Sequence, residues 1–590
     1  MLVIPKLSGL AKAFCRLCLL PAAHYLLLIA YCLLLSGCNT ASTSEHEIAT
    51  DSVSIANGRQ LFDRDCSSCH NFRQDGIGPQ LTGIAGEVSA EWLRSFIKNP
   101  QEVINSGDAR AQTLFTSYRT IMPSFAHYSD ADVNMVIAFL NSRKERPERR
   151  RTRNPDALED PIPEAIPMSD LVVGLEEITQ IPPSAEPPLR TRIAKLDFRP
   201  DTKELFMLDL RGKLYYLDND QPEVYMDMAA VRPAFINTPG LATGFGSFAF
   251  HPEFGKNGLL YTTHTEGPGS GIADFSYNDS IKVLLQWVLT EWRTDKPEAI
   301  PFSGKGRELF RINMVHSFHG VQEITFNPLS KPGSEDYGLL YIGIGDGSSV
   351  EFGYPFLVHS TSTIWGSIVR IDPAGRNSAN GQYGIPRTNP FAGNKEPNVL
   401  GEIYAYGFRN PHRITWSRSG QMLASNIGHH NIESLNLILP GHDYGWHIRE
   451  GTFVMDAYTN MSDVFALPPE DSVYHVTYPV AQYDHDEGNA ISGGYEYWGK
   501  MVPELKGKYI FGDIVSGRLF YVEMNDLKLG SQAPIREFQV SLNGERKTFP
   551  QICANNRVDL RFGRDAQGEL YVFTKPDGKV YKIKIEELKN

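Results

Sequence analysis

Phe250-His251-Pro252, a turn, then Gly258-Leu259-Leu260-Tyr261: this phrase, with its near copy Phe326-Asn327-Pro328 and Gly338-Leu339-Leu340-Tyr341, decides the fold of most of the chain. Phe198-Arg199-Pro200 leads in the same way to Leu205-Phe206-Met207-Leu208, and Trp416-Ser417 to Gly420-Gln421-Met422-Leu423. Gly507-Lys508-Tyr509-Ile510-Phe511 leads to Gly517-Arg518-Leu519-Phe520-Tyr521, and Phe562 to Gly568-Glu569-Leu570-Tyr571-Val572. Six imperfect copies, about fifty to ninety residues apart, mark one repeated four-stranded unit. Short alternating strands, glycine turns and few helical stretches point to an all-β six-bladed propeller over residues 171–590. Two stacked β-sandwiches would also supply short strands, but not the returning phrase. A propeller gathers its irregular loops at one end of a central channel, so function is expected in the long insertions between copies.

Upstream the composition changes. Arg143, Lys144, Arg146, Arg149, Arg150, Arg151 and Arg153 form a basic run, and Pro161, Pro163 and Pro167 follow in an acidic stretch. Residues 144–170 therefore read as a linker that buries no apolar face. The basic run is a solvated connector or, alternatively, a docking patch for anionic head groups or an acidic electron-transfer partner.

Before it stands Cys66-Ser67-Ser68-Cys69-His70. C-x-x-C-H is the attachment signal for c-type haem, with a thioether from each thiol and the histidine on the iron. A redox cysteine pair or half a zinc site are the alternatives, and a second metal-binding pair is absent. Gly76-Ile77-Gly78-Pro79-Gln80-Leu81-Thr82-Gly83 gives a close-running loop, and Met122-Pro123-Ser124-Phe125 follows about fifty residues on. Trp92–Ile97 and Asp132–Leu140 carry helical spacing. Residues 52–143 resemble a class I cytochrome c domain, small and all-α. The resemblance implies one covalent haem c on Cys66 and Cys69, with His70 and Met122 as iron ligands. Met135 is the weaker rival, inside the last amphipathic helix.

Lys6, Lys12 and Arg16 precede an apolar run, Leu17 to Leu35, that ends in Leu35-Ser36-Gly37-Cys38. That is a secretory signal over residues 1–37. Its end resembles a bacterial lipobox, which implies lipidation of Cys38 and a tether over 38–51. An uncleaved anchor is the competing reading, but Pro21 and His24 interrupt the run. The expectation is a membrane-anchored lipoprotein facing the periplasm, with Asn39 favouring the outer membrane. After signal, lipid and haem are accounted for, Cys553 alone is left, so no intramolecular disulfide is expected. A net charge of −12 argues against nucleic acid as a partner.

The insertions carry an ordered series. His319-Gly320, Gly343-Ile344-Gly345-Asp346-Gly347, Trp365–Asp372 and Asn389-Pro390-Phe391 come first. Tyr406-Gly407-Phe408-Arg409-Asn410-Pro411-His412-Arg413, Asp443-Tyr444-Gly445-Trp446, Ser492–Tyr497 and Gly512-Asp513 complete it. Together these resemble the soluble glucose/sorbosone dehydrogenase family, from about residue 170 onward. The resemblance implies a quinoprotein using pyrroloquinoline quinone (PQQ) and calcium to oxidise an aldose or related sugar alcohol or aldehyde. It implies His319 as base and Arg409 beside the cofactor oxygen, with Asn410 and Ser492 against the cofactor and Arg557 or Arg561 facing its carboxylates. Backbone carbonyls of Gly428 and His429 would hold calcium. Electrons would pass to the chain's own haem, which a soluble or membrane carrier reoxidises. Four departures stand out: Phe318 replaces an orienting Asp, and Ala242 replaces a glutamine. No lysine lies near Ile514-Val515-Ser516, and the terminal arginines are slipped by one residue. The alternative is a calcium-bound, non-catalytic recognition propeller beside an electron-transfer cytochrome.

Overall fold

The computed structural model describes residues 48–589, apart from 68, 73–77, 119–120, 145–153, 186–188, 219–220, 241 and 459. The signal, Cys38, Gly76-Ile77 and the basic run from Arg146 to Arg153 lie outside the described residues.

The first helix, Ser52–Leu61, starts where the Asp51 carboxylate accepts from the backbone N–H of Val53 and Ser54, at 3.1 and 2.9 Å. It crosses the last helix of its domain, Asp130–Ser142, which begins in a Ser129/Asp132 capping box. The crossing needs a glycine: a Cβ on Gly58 would lie 1.8 Å from the Met135 carbonyl oxygen. Phe62, Leu93, Ile97, Phe125, Val133 and Ile137 pack beneath it. The segments with helical spacing both form helices, Ala90–Lys98 and Asp130–Ser142. One π turn, Phe62–Cys66, continues the first helix and delivers Cys66.

The remainder is a ring of six four-stranded antiparallel blades. Blades 1 to 5 have inner strands Ile193–Phe198, Phe245–Phe250, Glu323–Phe326, Pro411–Trp416 and Ile491–Glu496, and each runs outward in chain order. Blade 6 starts at Arg561–Arg564 and takes its outer strand from far upstream. That strand, Met168–Gln180, pairs antiparallel with Lys579–Lys584 and parallel with Arg536–Leu542 of blade 5. A strand from the front of the propeller thus covers an edge that the last blade would otherwise expose.

Each repeated phrase is the end of an inner strand, a turn, and the second strand of a blade, with one exception. The fifth copy lies one strand late. Lys508–Asp513 and Leu519–Glu523 are the second and third strands of blade 5, because a turn through Pro503–Leu505 separates its first two strands.

The stretch after the basic run is also more than a linker. Backbone N–H groups of Asn154, Ile162 and Ile166 donate to the carboxylates of Asp463, Asp484 and Glu487 at 3.0, 3.1 and 3.0 Å. It is a strap hydrogen-bonded along blade 4 and its excursion. Prolines suit such a strap because side-chain acceptors, not a ladder, satisfy its backbone. Cytochrome, strap and propeller belong to one compact unit, Ile48–Asn590.

Gly58→Val should destabilise the cytochrome domain by about 1–3 kcal/mol or more, because a carbonyl rather than a yielding side chain blocks the added carbons. Thermal unfolding followed by the far-UV helical signal should show an earlier first transition, with the β-sheet transition unmoved.

Candidate active site at the loop face of the propeller

In a four-stranded antiparallel blade, the connection to the next blade and the turn between strands two and three fall at the same end. His319, Arg409, Asn410, Arg557 and Arg561 come from inter-blade connections or the inner-strand starts that follow them. Gly428 and His429 come from the corresponding turn of blade 4, and Ser492 opens the inner strand of blade 5. Topology alone therefore gathers the expected site residues on one face.

His319 is oriented by a carboxylate, but from another loop than expected. Its Nδ1 lies 2.8 Å from Oδ1 of Asp346, which is fully buried. Asp346 also accepts from Trp446 Nε1 at 2.9 Å and from the Ser348 backbone at 2.8 Å. A neutral ring held this way carries its proton on Nδ1 and its lone pair on Nε2. The backbone is correspondingly close: a Cβ on Gly345 would sit 2.3 Å from the His319 carbonyl oxygen, and His319 itself has φ of 53°. Strain of that kind persists only where surroundings enforce it, and it clusters at working sites. At the second departure, Gln322 Nε2 donates to the Ala242 carbonyl at 3.2 Å.

Arg409 is buried and donates to two acceptors, the Gly428 carbonyl and the Glu351 carboxylate. Its guanidinium stands 5.7 Å from the centre of the Trp446 ring. Burial pulls its pKa down, but Glu351 and Asp346 outweigh it, and the group ends above the ordinary arginine range. Glu351 is the mirror case: burial raises it, Arg409 and His319 lower it, and it ends below the ordinary value. Asn426 fixes this connection by accepting from the backbone of Arg409 and Asn410, at 3.1 and 2.9 Å. The next turn is pinned by Glu450, whose Oε1 accepts from the backbone of His429, His430, Asn431 and Ile432 at 2.7 to 3.0 Å.

Across the mouth lies a buried basic pocket of Arg192, Arg561 and Lys575, with Asp559 as its acid. Lys575 Nζ is 4.0 Å from Asp559, and Ser492 Oγ donates to the Leu560 carbonyl at 2.9 Å. Burial drives Arg192 and Arg561 down to about 10 each. Lys575 is pushed down to about 7 by burial and three neighbouring arginines, against the pull of Asp559. Arg192 Nε and Arg561 Nε have no hydrogen-bond partner among the described residues. Arg192, Arg561 and Lys575 share one paired acid, Asp559, an arrangement that a bound anion would stabilise. No lysine lies near Ile514, but Lys575 of the last blade stands in this pocket. Arg557 pairs with Asp559 at 3.4 Å and interacts electrostatically with Cys69 of the cytochrome.

In the cytochrome, His70 Nδ1 lies 2.8 Å from the Pro79 carbonyl, which leaves Nε2 for a metal. Gly78 runs so near that a Cβ would lie 2.5 Å from the ring. Met122 packs on the domain core and, with Arg557, lines a cavity of about 620 Å³. Met135 instead sits in the helix that crosses Gly58.

A model of the family described as Glucose / Sorbosone dehydrogenase matches residues 191–582, about two-thirds of the chain. The chain belongs to this family. A cytochrome c model matches residues 55–144. HIPL1 protein of Arabidopsis thaliana is 26% identical over 393 residues, covering 58% of this chain and 53% of the relative. Hedgehog-interacting protein of Homo sapiens is 23% identical over 406 residues, covering 67% and 51%. Quinoprotein glucose dehydrogenase B of Acinetobacter calcoaceticus is 26% identical over 239 residues, covering 36% and 42%. The chain spans about half the length of the curated relatives it matches. A solved structure of soluble aldose sugar dehydrogenase from Escherichia coli is 19% identical, covering 70% of this chain and 99% of that one, with a TM-score of 0.48.

Sequence reading missed Asp346 as the orienting acid, although its Gly-Asp-Gly context was visible, and gave no signal for Glu351, Arg192 or Lys575. Glu351→Ala should destabilise the propeller by about 3–5 kcal/mol, since it strands a buried guanidinium. Denaturant unfolding of the full chain measures this, and Arg409→Met in the same background should recover part of the loss.

Proposed function

We propose that the chain is a PQQ-dependent dehydrogenase of an aldose or related sugar, which passes electrons to its own haem c. The observation that carries this is His319 held on Asp346 beside Arg409, across the channel mouth from a buried cationic pocket. The unpartnered nitrogens of Arg192 and Arg561 fit the carboxylates of PQQ, with Lys575 contributing a third cation; Ser492, tied to the Leu560 carbonyl, and Asn410 open on the same face. PQQ, when bound, supplies the acceptor for the substrate's hydride.

The chain's own residues do the rest. Nε2 of His319 takes the hydroxyl proton, and Asp346 stabilises the imidazolium that results. Trp446 and Ser348 keep that carboxylate in place. Arg409 holds fixed positive charge where negative charge develops. Calcium fits less well: the Gly428 carbonyl already accepts from Arg409, and a second cation beside that guanidinium would be repelled. No step here uses calcium. In the cytochrome, Cys66 and Cys69 would carry the haem with His70 and Met122 on the iron, and lipid on Cys38 would hold the protein at a membrane, facing the periplasm.

One observation favours a second, non-catalytic reading. Arg409 is engaged by Glu351 and Gly428, and relatives include proteins named for Hedgehog interaction. A recognition propeller would bind its ligand without turnover.

Asp346→Asn should cut sugar-dependent reduction of a dye acceptor by about 100-fold or more by spoiling the tautomer, with PQQ affinity retained. If neither wild type nor variant oxidises any aldose with PQQ bound, the recognition reading stands instead. Binding should also depend on pH. Lys575 is charged below about 7, so affinity for the anionic cofactor should be full there and weaken as pH rises above it. Fluorescence titration should show that loss in wild type and not in Lys575→Arg.

A further inference from the structure

The cytochrome meets the same face of the propeller that carries the site. Tyr118, at the end of the helix Ala109–Tyr118, packs edge-on against His430 with ring centres 5.8 Å apart. His430 belongs to the turn pinned by Glu450, next to His429. The acids of the haem-side turn are matched by basic residues of the loop face: Asp63 feels Lys282, and Asp65 feels Arg192 of the cationic pocket. The cavity beside Met122 is walled on its far side by Pro550, Ala554, Asn555, Asn556 and Arg557 of the propeller. At the centre of this contact Arg557, paired with Asp559, lines the cavity beside Met122 and interacts electrostatically with Cys69, whose sulfur stands where a haem thioether would form. Asp559 is shared, since its other oxygen faces Lys575 at 4.0 Å.

We propose that the cytochrome is a fixed partner docked on the loop face, and that Arg557 is the positioning residue that holds the haem attachment site against the cofactor pocket. The step rests on the dehydrogenase reading above. Sugar oxidation releases two electrons and two protons. With haem bound at Cys66 and Cys69, each electron would reduce one ferric haem to ferrous, and a one-electron carrier outside the chain would reoxidise it between the two transfers. One proton leaves through His319, and the other goes to solvent. The Arg557–Asp559 pair links the haem attachment residue Cys69 to Lys575 of the cationic pocket. A haem held there receives electrons at a rate set by that contact, not by diffusion of a tether.

Two measurements on the full-length, haem-loaded protein test this. The first is a potentiometric titration of the haem without PQQ. Removing a positive charge beside the haem favours the ferric state, so Arg557→Gln should lower the midpoint and Arg557→Lys should largely restore it. Asp559→Asn removes a negative charge and should raise it. Unmoved midpoints in Arg557→Gln and Asp559→Asn overturn the proposal, and Asp559→Asn decides alone if Arg557→Gln does not fold. The second is stopped-flow reduction of the haem by aldose with PQQ bound. With PQQ saturating in both assays, Arg557→Gln should slow haem reduction by about tenfold or more relative to dye-coupled sugar oxidation by the same variant. Equal losses in both assays overturn a positioning role. Absence of sugar oxidation in wild type would defeat the dehydrogenase reading, while the midpoint shifts would still uphold the docking.

Discussion

Glu323 holds the centre of the propeller together. It stands on the inner strand of blade 3, fully buried, and takes Lys195 of blade 1 at 2.7 Å and Arg413 of blade 4 as partners. Lys195 also donates to the Ile324 carbonyl at 2.8 Å. Three blades that are not all neighbours are thereby tied through one carboxylate inside the channel. A buried ion cluster of this kind adds little net stability over an apolar plug of equal shape, but loss of one member leaves charge stranded in the interior. Its value here is geometric: inner strands cannot slide relative to one another, so the loops at their ends keep their spacing.

The same economy recurs at the loop face. Asp346, Glu450 and Asp513 are carboxylates with little or no exposure that accept from backbone N–H groups as well as from side chains. Each converts a long irregular loop into a fixed one. Positive charge is treated differently. Arg192, Arg561 and Lys575 are packed together with too little acid to balance them, and burial lowers all three pKa values. A fold does not hold that arrangement for stability, because it costs free energy in the absence of an anion. A bound anion would offset that cost, and the cluster lies on the face where chain topology already places His319 and Arg409.

The parts of this design that were legible in the sequence are the ones encoded locally. Cys66-x-x-Cys-His70 is read in one window, and the aromatic–turn–strand phrase repeats within each blade. The fifth copy misled because Pro503–Leu505 lengthens the turn there and moves the matching phrase to the next pair of strands. Asp346 was hidden for a different reason. An orienting acid was sought beside His319 in the chain, whereas the carboxylate arrives from the following blade, 27 residues away. Lys575 and Arg192 are farther still, on opposite sides of the ring closure that Met168–Gln180 makes. Such residues become neighbours only when the ring closes, and one sequence without its fold carries no trace of it.

Ring closure also settles why a cytochrome at the front of the chain reaches a site assembled partly from its end. The strap from Asn154 runs along blade 4 and its excursion before the chain enters the closing strand at Met168. The front of the chain is thus fastened beside the last blade before the first blade begins. Arg557, Asp559, Arg561 and Lys575 all come from that last turn of the ring. A cytochrome placed ahead of the closing strand has only a short distance to cover to meet them, and the strap's hydrogen bonds spend much of the connecting length on the propeller's side. The closing strand and the strap thus lie with the cytochrome and the last blade in one compact unit.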